Sequence, residues 1–138
     1  MTTAPLITPP EGPSRPERLR DFLAAVAKAE REPLGEEFTE SSAPVIEGLL
    51  LCLCAVYGIS SSVASGREPD RHGSRFNYPR AMVSVWRRTK LKPHRVVEGL
   101  KTVPDVFAKF PTAGLLEDHI RGELRDESIP AEFRKQLA

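Results

Sequence analysis

Cysteine is nearly absent from this chain of 138 residues: only Cys52 and Cys54 occur, two positions apart in its most apolar stretch. Side chains two residues apart on a helix point roughly 200° away from each other, so that spacing excludes a disulfide, and two thiols are too few for a metal site. They read as small buried residues of a reducing, intracellular setting. Histidine is scarce as well, with only His72, His94 and His119. Nucleophilic catalysis needs a base within hydrogen-bond reach, usually a histidine held by a carboxylate. His72 stands in a charged segment, His94 has Glu98 four residues on as its one helical partner, and His119 falls on an apolar stripe, the place of a satisfied core or interface histidine. Gly73 is followed by Ser74 and Arg75, which breaks the phosphate-loop pattern for want of a lysine. The adjacent carboxylates Glu36/Glu37, Glu117/Asp118 and Asp126/Glu127 read as solvated charge. No catalytic residue, metal site or cofactor is assigned, and a non-enzymatic protein is expected.

Long hydrophobic runs are also lacking. Residues 48–66 are 19 positions without a charge, but the second half dilutes into Gly58, Ser60, Ser61, Ser62 and Ser65. The apolar part is about a dozen residues, the length of a buried core helix rather than of a membrane span. No sustained two-residue alternation, internal repeat or heptad run appears, which argues against a sheet, a solenoid and a coiled coil.

What the chain does have is 40% apolar and 28% charged residues, the make-up of an ordinary packed domain, in a length that fits one core. Thirteen prolines punctuate it. Four lie in residues 1–13, which read as an extended Pro-rich arm. That segment has neither a charged n-region nor an apolar h-region, so it does not read as a secretory signal; residence in the cytoplasm or within a nucleoprotein assembly is expected. Ser14-Arg15-Pro16-Glu17 has the form of a capping box and predicts a helix over about 15–32, with Leu19, Phe22, Leu23 and Val26 along one face. Ser42 before Ala43-Pro44 is the next candidate cap, opening a helix so apolar that other helices or subunits must surround it. Residues 67–76 predict an exposed loop. Asn77 then caps an amphipathic helix with Tyr78, Met82, Val85 and Trp86 on one side and Arg80, Ser84, Arg87 and Leu91 on the other. Beyond Pro93 the pattern predicts two short helices divided at Pro104, a helix over about 113–126, and a terminal helix after Pro130 carrying Phe133 and Leu137. The expected fold is all-α: an irregular bundle of five to seven helices around a central apolar helix at about 43–60, with residues 1–13 as an arm and 14–138 as one helical domain.

The formal net charge of +1 conceals two opposite blocks. Residues 67–101 hold ten Lys/Arg against Glu68, Asp70 and Glu98, whereas residues 29–66 hold Arg31 against six glutamates. Within the basic block, aromatics are interleaved with cations, as in Arg75-Phe76-Asn77-Tyr78-Pro79-Arg80 and Trp86-Arg87-Arg88. Cations neutralise phosphates and exposed aromatic faces stack on unpaired bases, so Arg71, Arg75, Arg80, Arg87, Arg88, Lys90, Lys92 and Arg95 are the candidate nucleic-acid contacts. The expected partner is single-stranded nucleic acid, RNA ahead of DNA, or another polyanion, with no membrane. The bland alternative puts Tyr78 and Trp86 in the core and leaves the arginines solvated or paired with the acidic block of the same or a neighbouring copy. Opposite charge blocks, an arm and a helix in need of wrapping suit a self-assembling homo-oligomer. Together these features point to a coat or nucleocapsid-like protein, and the alternative is a helical adaptor or regulator that binds another protein.

Overall fold

The capping box forms as its sequence requires. In the computed structural model, which describes residues 14–135, the Ser14 hydroxyl accepts from the Glu17 N–H at 3.4 Å and the Glu17 carboxylate accepts from the Ser14 N–H at 3.3 Å. Helix α1 follows over Arg15–Glu30 and buries Phe22, Val26 and Ala29; Leu23, expected on that face, stays exposed because Ala29 takes up the stripe. The N-terminal arm and Leu137 lie outside the described residues.

Helix α2, Ser42–Val56, begins through a different cap from the one its sequence suggests. Ser42 is already helical and buried. Its hydroxyl accepts from the Thr39 N–H at 2.8 Å, while the Thr39 hydroxyl accepts from the Ser42 N–H at 3.1 Å, a reciprocal pair set three residues earlier than expected. Ile46, Leu49, Leu50 and Leu53 of α2 are essentially inaccessible, and the helix packs against α1, the single-turn α3 (Ser61–Ala64), α4 (Tyr78–Arg88) and α5 (Pro93–Val106). It is the central helix of an all-α bundle with six α-helices among the described residues. No helix among them is long and apolar enough to cross a membrane.

Helix α2 stops at Gly58 (φ 83°), where the Ile59 N–H returns to the Cys54 carbonyl and the Gly58 N–H to that of Ala55. The same paired closure ends α6, Ala113–Arg121, at Gly122 (φ 78°), with Glu123 bonded to Asp118 and Gly122 to His119. This left-handed stop is why α6 is shorter than the 113–126 stretch its periodicity predicts. Helix α4 ends in the same way, except that the left-handed position is Lys90 (φ 60°), with Leu91 bonded to the Trp86 carbonyl and Lys90 to that of Arg87. The reversal turns Leu91 inward, so it is buried rather than on the outer side of α4.

Pro104 does not divide the chain. Val96, Val97, Leu100, Val103 and Phe107 form one unbroken buried stripe, and α5 runs through Pro104 in its last turn. A proline that close to the end forfeits one backbone bond, and burial of the stripe outweighs that loss. The end of α5 is held from outside: the Tyr57 hydroxyl donates to the Phe107 carbonyl at 2.8 Å, and the Lys135 ammonium to the Pro104 carbonyl at 2.7 Å. The expected terminal helix is replaced by two 3-10 turns, Asp126–Ser128 and Ala131–Phe133, after which Arg134 pairs with Phe107 as an isolated bridge. Backbone groups at the end of α5 supply the partners that make an extended tail favourable there, with Ala108 N–H donating to the Phe133 carbonyl at 2.8 Å.

Candidate functional site

The basic block is built from a folded loop and the outer face of α4. In the loop, one Asp70 carboxylate oxygen accepts from the His72 N–H at 2.8 Å and the Ser74 N–H at 3.0 Å, while the Asp70 N–H donates to the Ser74 carbonyl. These amides, Ser74 first and His72 next, hold the Asp70 carboxyl below the usual carboxylate range, with smaller help from the charges of His72 and Arg71. The loop is anchored at its base by Gly66 (φ 80°), where any side chain would meet the Phe76 and Asn77 backbone at 3.0–3.2 Å. Asn77 then caps α4, its side-chain oxygen accepting from the Arg80 N–H at 3.1 Å.

Helix α4 turns Pro79, Met82, Val83 and Trp86 inward, which leaves Arg80, Ser84, Arg87 and Arg88 within about 100° of arc on the opposite face. Val83 takes the core place expected for Val85, which is half-buried. The helix contains no carboxylate. Arg71 and Arg75 in the loop and Lys90 just past the helix are exposed too. These six cations, Arg71, Arg75, Arg80, Arg87, Arg88 and Lys90, make no ion pair among the described residues. Arg87 and Lys90 nevertheless share a small cleft with Glu37 and Phe38, so the acidic block does approach one end of the face.

Two of the eight sequence candidates are placed differently. Lys92 pairs with Glu36 at 3.0 Å, and this hydrogen bond, then its charge, lowers the Glu36 pKa, opposed by slight desolvation and aided by His94. Arg95 lies 3.7 Å from Glu98 and donates to the Arg121 carbonyl at 3.4 Å, tying α5 to the end of α6. Lys101 pairs with Glu30 at 3.5 Å. Pairing of the basic and acidic blocks within one copy thus amounts to Lys92–Glu36 and Lys101–Glu30, both exposed.

The interleaved aromatics divide as well. Trp86 is fully buried, and Tyr78 is half-buried with its ring edge-on to Phe110 at 5.5 Å, so neither offers a free face. Phe76, at 60% exposure, does. Its signal in the sequence is an aromatic set among cations one residue ahead of a helix cap, off the helical stripe that claims Tyr78 and Trp86.

The cysteines and histidines are placed by their surroundings. Burial pushes the Cys54 thiol up to about 12 and raises that of half-buried Cys52, with Asp21 adding to the latter. The His119 imidazole Nε2 lies 2.7 Å from the Thr102 hydroxyl and its ring stands edge-on to Phe107 at 5.5 Å; burial lowers its pKa. It is the satisfied histidine the sequence suggests. His94 is exposed beside Glu98, whose ion-pair partner is Arg95.

No protein-family model, curated protein or solved structure matches the chain.

Proposed function

We propose that this is a non-enzymatic, nucleic-acid-binding structural protein of coat or nucleocapsid-like type, which contacts phosphates through the loop and outer face of α4. The observation that carries the reading is the set of six exposed cations without an ion-pair partner among the described residues, three of them on a helix with no carboxylate of its own and three in the segments that flank it. Arg80 stands in the first turn of α4, where the helix dipole disfavours positive charge and where no acidic residue compensates it. A face arranged for helix stability alone would carry the opposite sign there. A polyanion supplies the missing countercharge, and each neutralised phosphate releases condensed ions. The acidic block, with Glu32, Glu37, Glu40 and Glu47 outside any ion pair among the described residues, offers a neighbouring copy the complementary surface.

The test is the salt dependence of binding to a single-stranded oligonucleotide. Replacing Arg87 and Arg88 together by Gln should weaken binding across sequences and reduce the slope of log affinity against log salt by about 2. Salt-insensitive binding, or none at low salt, overturns it. Assembly is tested separately by light scattering: mass should rise with concentration and fall when residues 1–13 are deleted. The groove between α1 and α2, lined by Ala25, Val45, Gly48 and Cys52, favours a protein partner, and a strict monomer without nucleic-acid affinity would leave the adaptor or regulator reading ahead.

A further inference from the structure

A cleft of about 290 Å³ opens beside the basic face, between the turn of α3, the loop and the start of α6. Its walls are mostly apolar, formed by Ile59, Val63, Ala64, Phe76, Phe110 and Pro111, with Asp70, Ser74 and Thr112 as the polar groups. We propose that this cleft is a nucleobase pocket: an unpaired base enters it against Phe76 while the flanking phosphates lie on the loop cations Arg71 and Arg75. The inference rests on the polyanion reading above and deepens it, since phosphate contacts alone would not distinguish a nucleic acid from any other polyanion.

Three observations converge on that occupant. The volume is at the lower end of small-ligand sites and is enough for a single heterocyclic base. Phe76 is held out rather than left out: the backbone on either side of it is pinned, by Gly66 packed against Phe76 and Asn77 on one hand and by the Asn77 cap on the other. An exposed aromatic on a backbone already ordered loses little further entropy when a base stacks on it. Charge completes the argument. Arg71 and Arg75 are exposed and directly adjoin the lining positions Asp70 and Phe76 in the loop, so the apolar opening is bordered by a cationic segment of chain. An apolar peptide has no use for that charge, whereas a nucleotide matches both parts. Asp70, the one carboxylate in the lining, has an oxygen bound to the His72 and Ser74 backbone amides, which fixes it on the loop's own backbone. The Ser74 and Thr112 hydroxyls supply hydrogen-bond donors for a base carbonyl, Thr112 being otherwise only the acceptor that caps α6.

The experiment measures anisotropy of a labelled short oligouridylate with the full chain, beside heparin as a polyanion without bases. Phe76→Ala should weaken oligouridylate binding about tenfold and leave heparin affinity and the salt slope unchanged. Phe76→Trp should restore it, and Val63→Phe, which fills the cleft with Phe76 intact, should weaken it again. Circular dichroism confirms the fold of each variant. If both ligands bind and Phe76→Ala changes neither, the pocket is wrong while the polyanion reading stands. If neither binds, both fall. A Phe76→Ala variant that loses self-association instead of oligouridylate affinity would assign the cleft to a second copy and overturn the proposal.

Discussion

Helices α2 and α4 touch each other and face opposite tasks. Helix α2 carries a single charge, Glu47, in 15 residues and is enclosed by four other helices, whereas α4 carries three arginines and no acid in 11 residues and commits only one side to the core. Burial of α2 leaves only a narrow strip beside α1 open to contact. The cationic side of α4 adds nothing to the core and is slightly unfavourable for the helix at Arg80. The comparison teaches where stability and recognition reside: the interior answers to volume, and the outer face answers to charge.

That division can be broken from the inside first. Leu50→Ala, at a position with no solvent access, should cost about 2–5 kcal/mol in denaturant unfolding through lost transfer energy and a residual cavity. Gly99→Ala should cost about 1–3 kcal/mol, because its new methyl would meet the Ile120 Cα at 2.9 Å where α5 and α6 approach most closely. Lys90→Gly tests the border between the two regimes. Relief of the left-handed backbone, set against the entropy of glycine in the unfolded chain, should raise stability by about 1 kcal/mol or less while weakening oligonucleotide binding.

Acid should act on the interior as well, with a smaller effect. Burial, partly offset by a Gly99 backbone hydrogen bond, holds the folded-state pKa of His119 below its ordinary 6.5. The unfolded chain then takes up that proton more readily than the folded one, so the His119 contribution is present above pH 6.5 and is lost as pH falls through the lowered folded value. Thermal unfolding from pH 7 to 5 should show the decline, and His119→Asn should flatten it. Last, the Arg87→Gln/Arg88→Gln pair should change unfolding free energy by no more than about 0.5 kcal/mol. A large loss there would mean that the outer face of α4 is structural and would erase the contrast.

Much of the fold was legible because its signals are local. The Ser14/Glu17 box, the Asn77 cap and the enclosure of α2 follow from residues within a turn of one another or from apolarity on all sides of a helix. The errors arose where a local signal met a distant partner. Pro104 reads as a break, yet the Val96 to Phe107 stripe buries against α2 and α6 and carries the helix through it. The segment after Pro130 reads as a helix, but the free backbone groups at the end of α5 draw its described part into a 3-10 turn and a bridge. The extension of α6 to about 126 failed for a local reason, the left-handed stop at Gly122.

The candidate face was legible to the same degree. Charge counting located six exposed cations without ion pairs among the described residues, because exposure of arginine on a helix follows from periodicity. It also included Lys92 and Arg95, whose partners Glu36 and Arg121 lie far along the chain. By itself, then, the sequence determined an all-helical chain, its central helix and the side of α4 that bears charge, since periods and caps act over a few residues. Tertiary structure alone decided which cations are already paired and that α3, the loop and α6 meet to leave a cleft beside Phe76. Those outcomes depend on contacts between segments tens of residues apart, which no local pattern encodes.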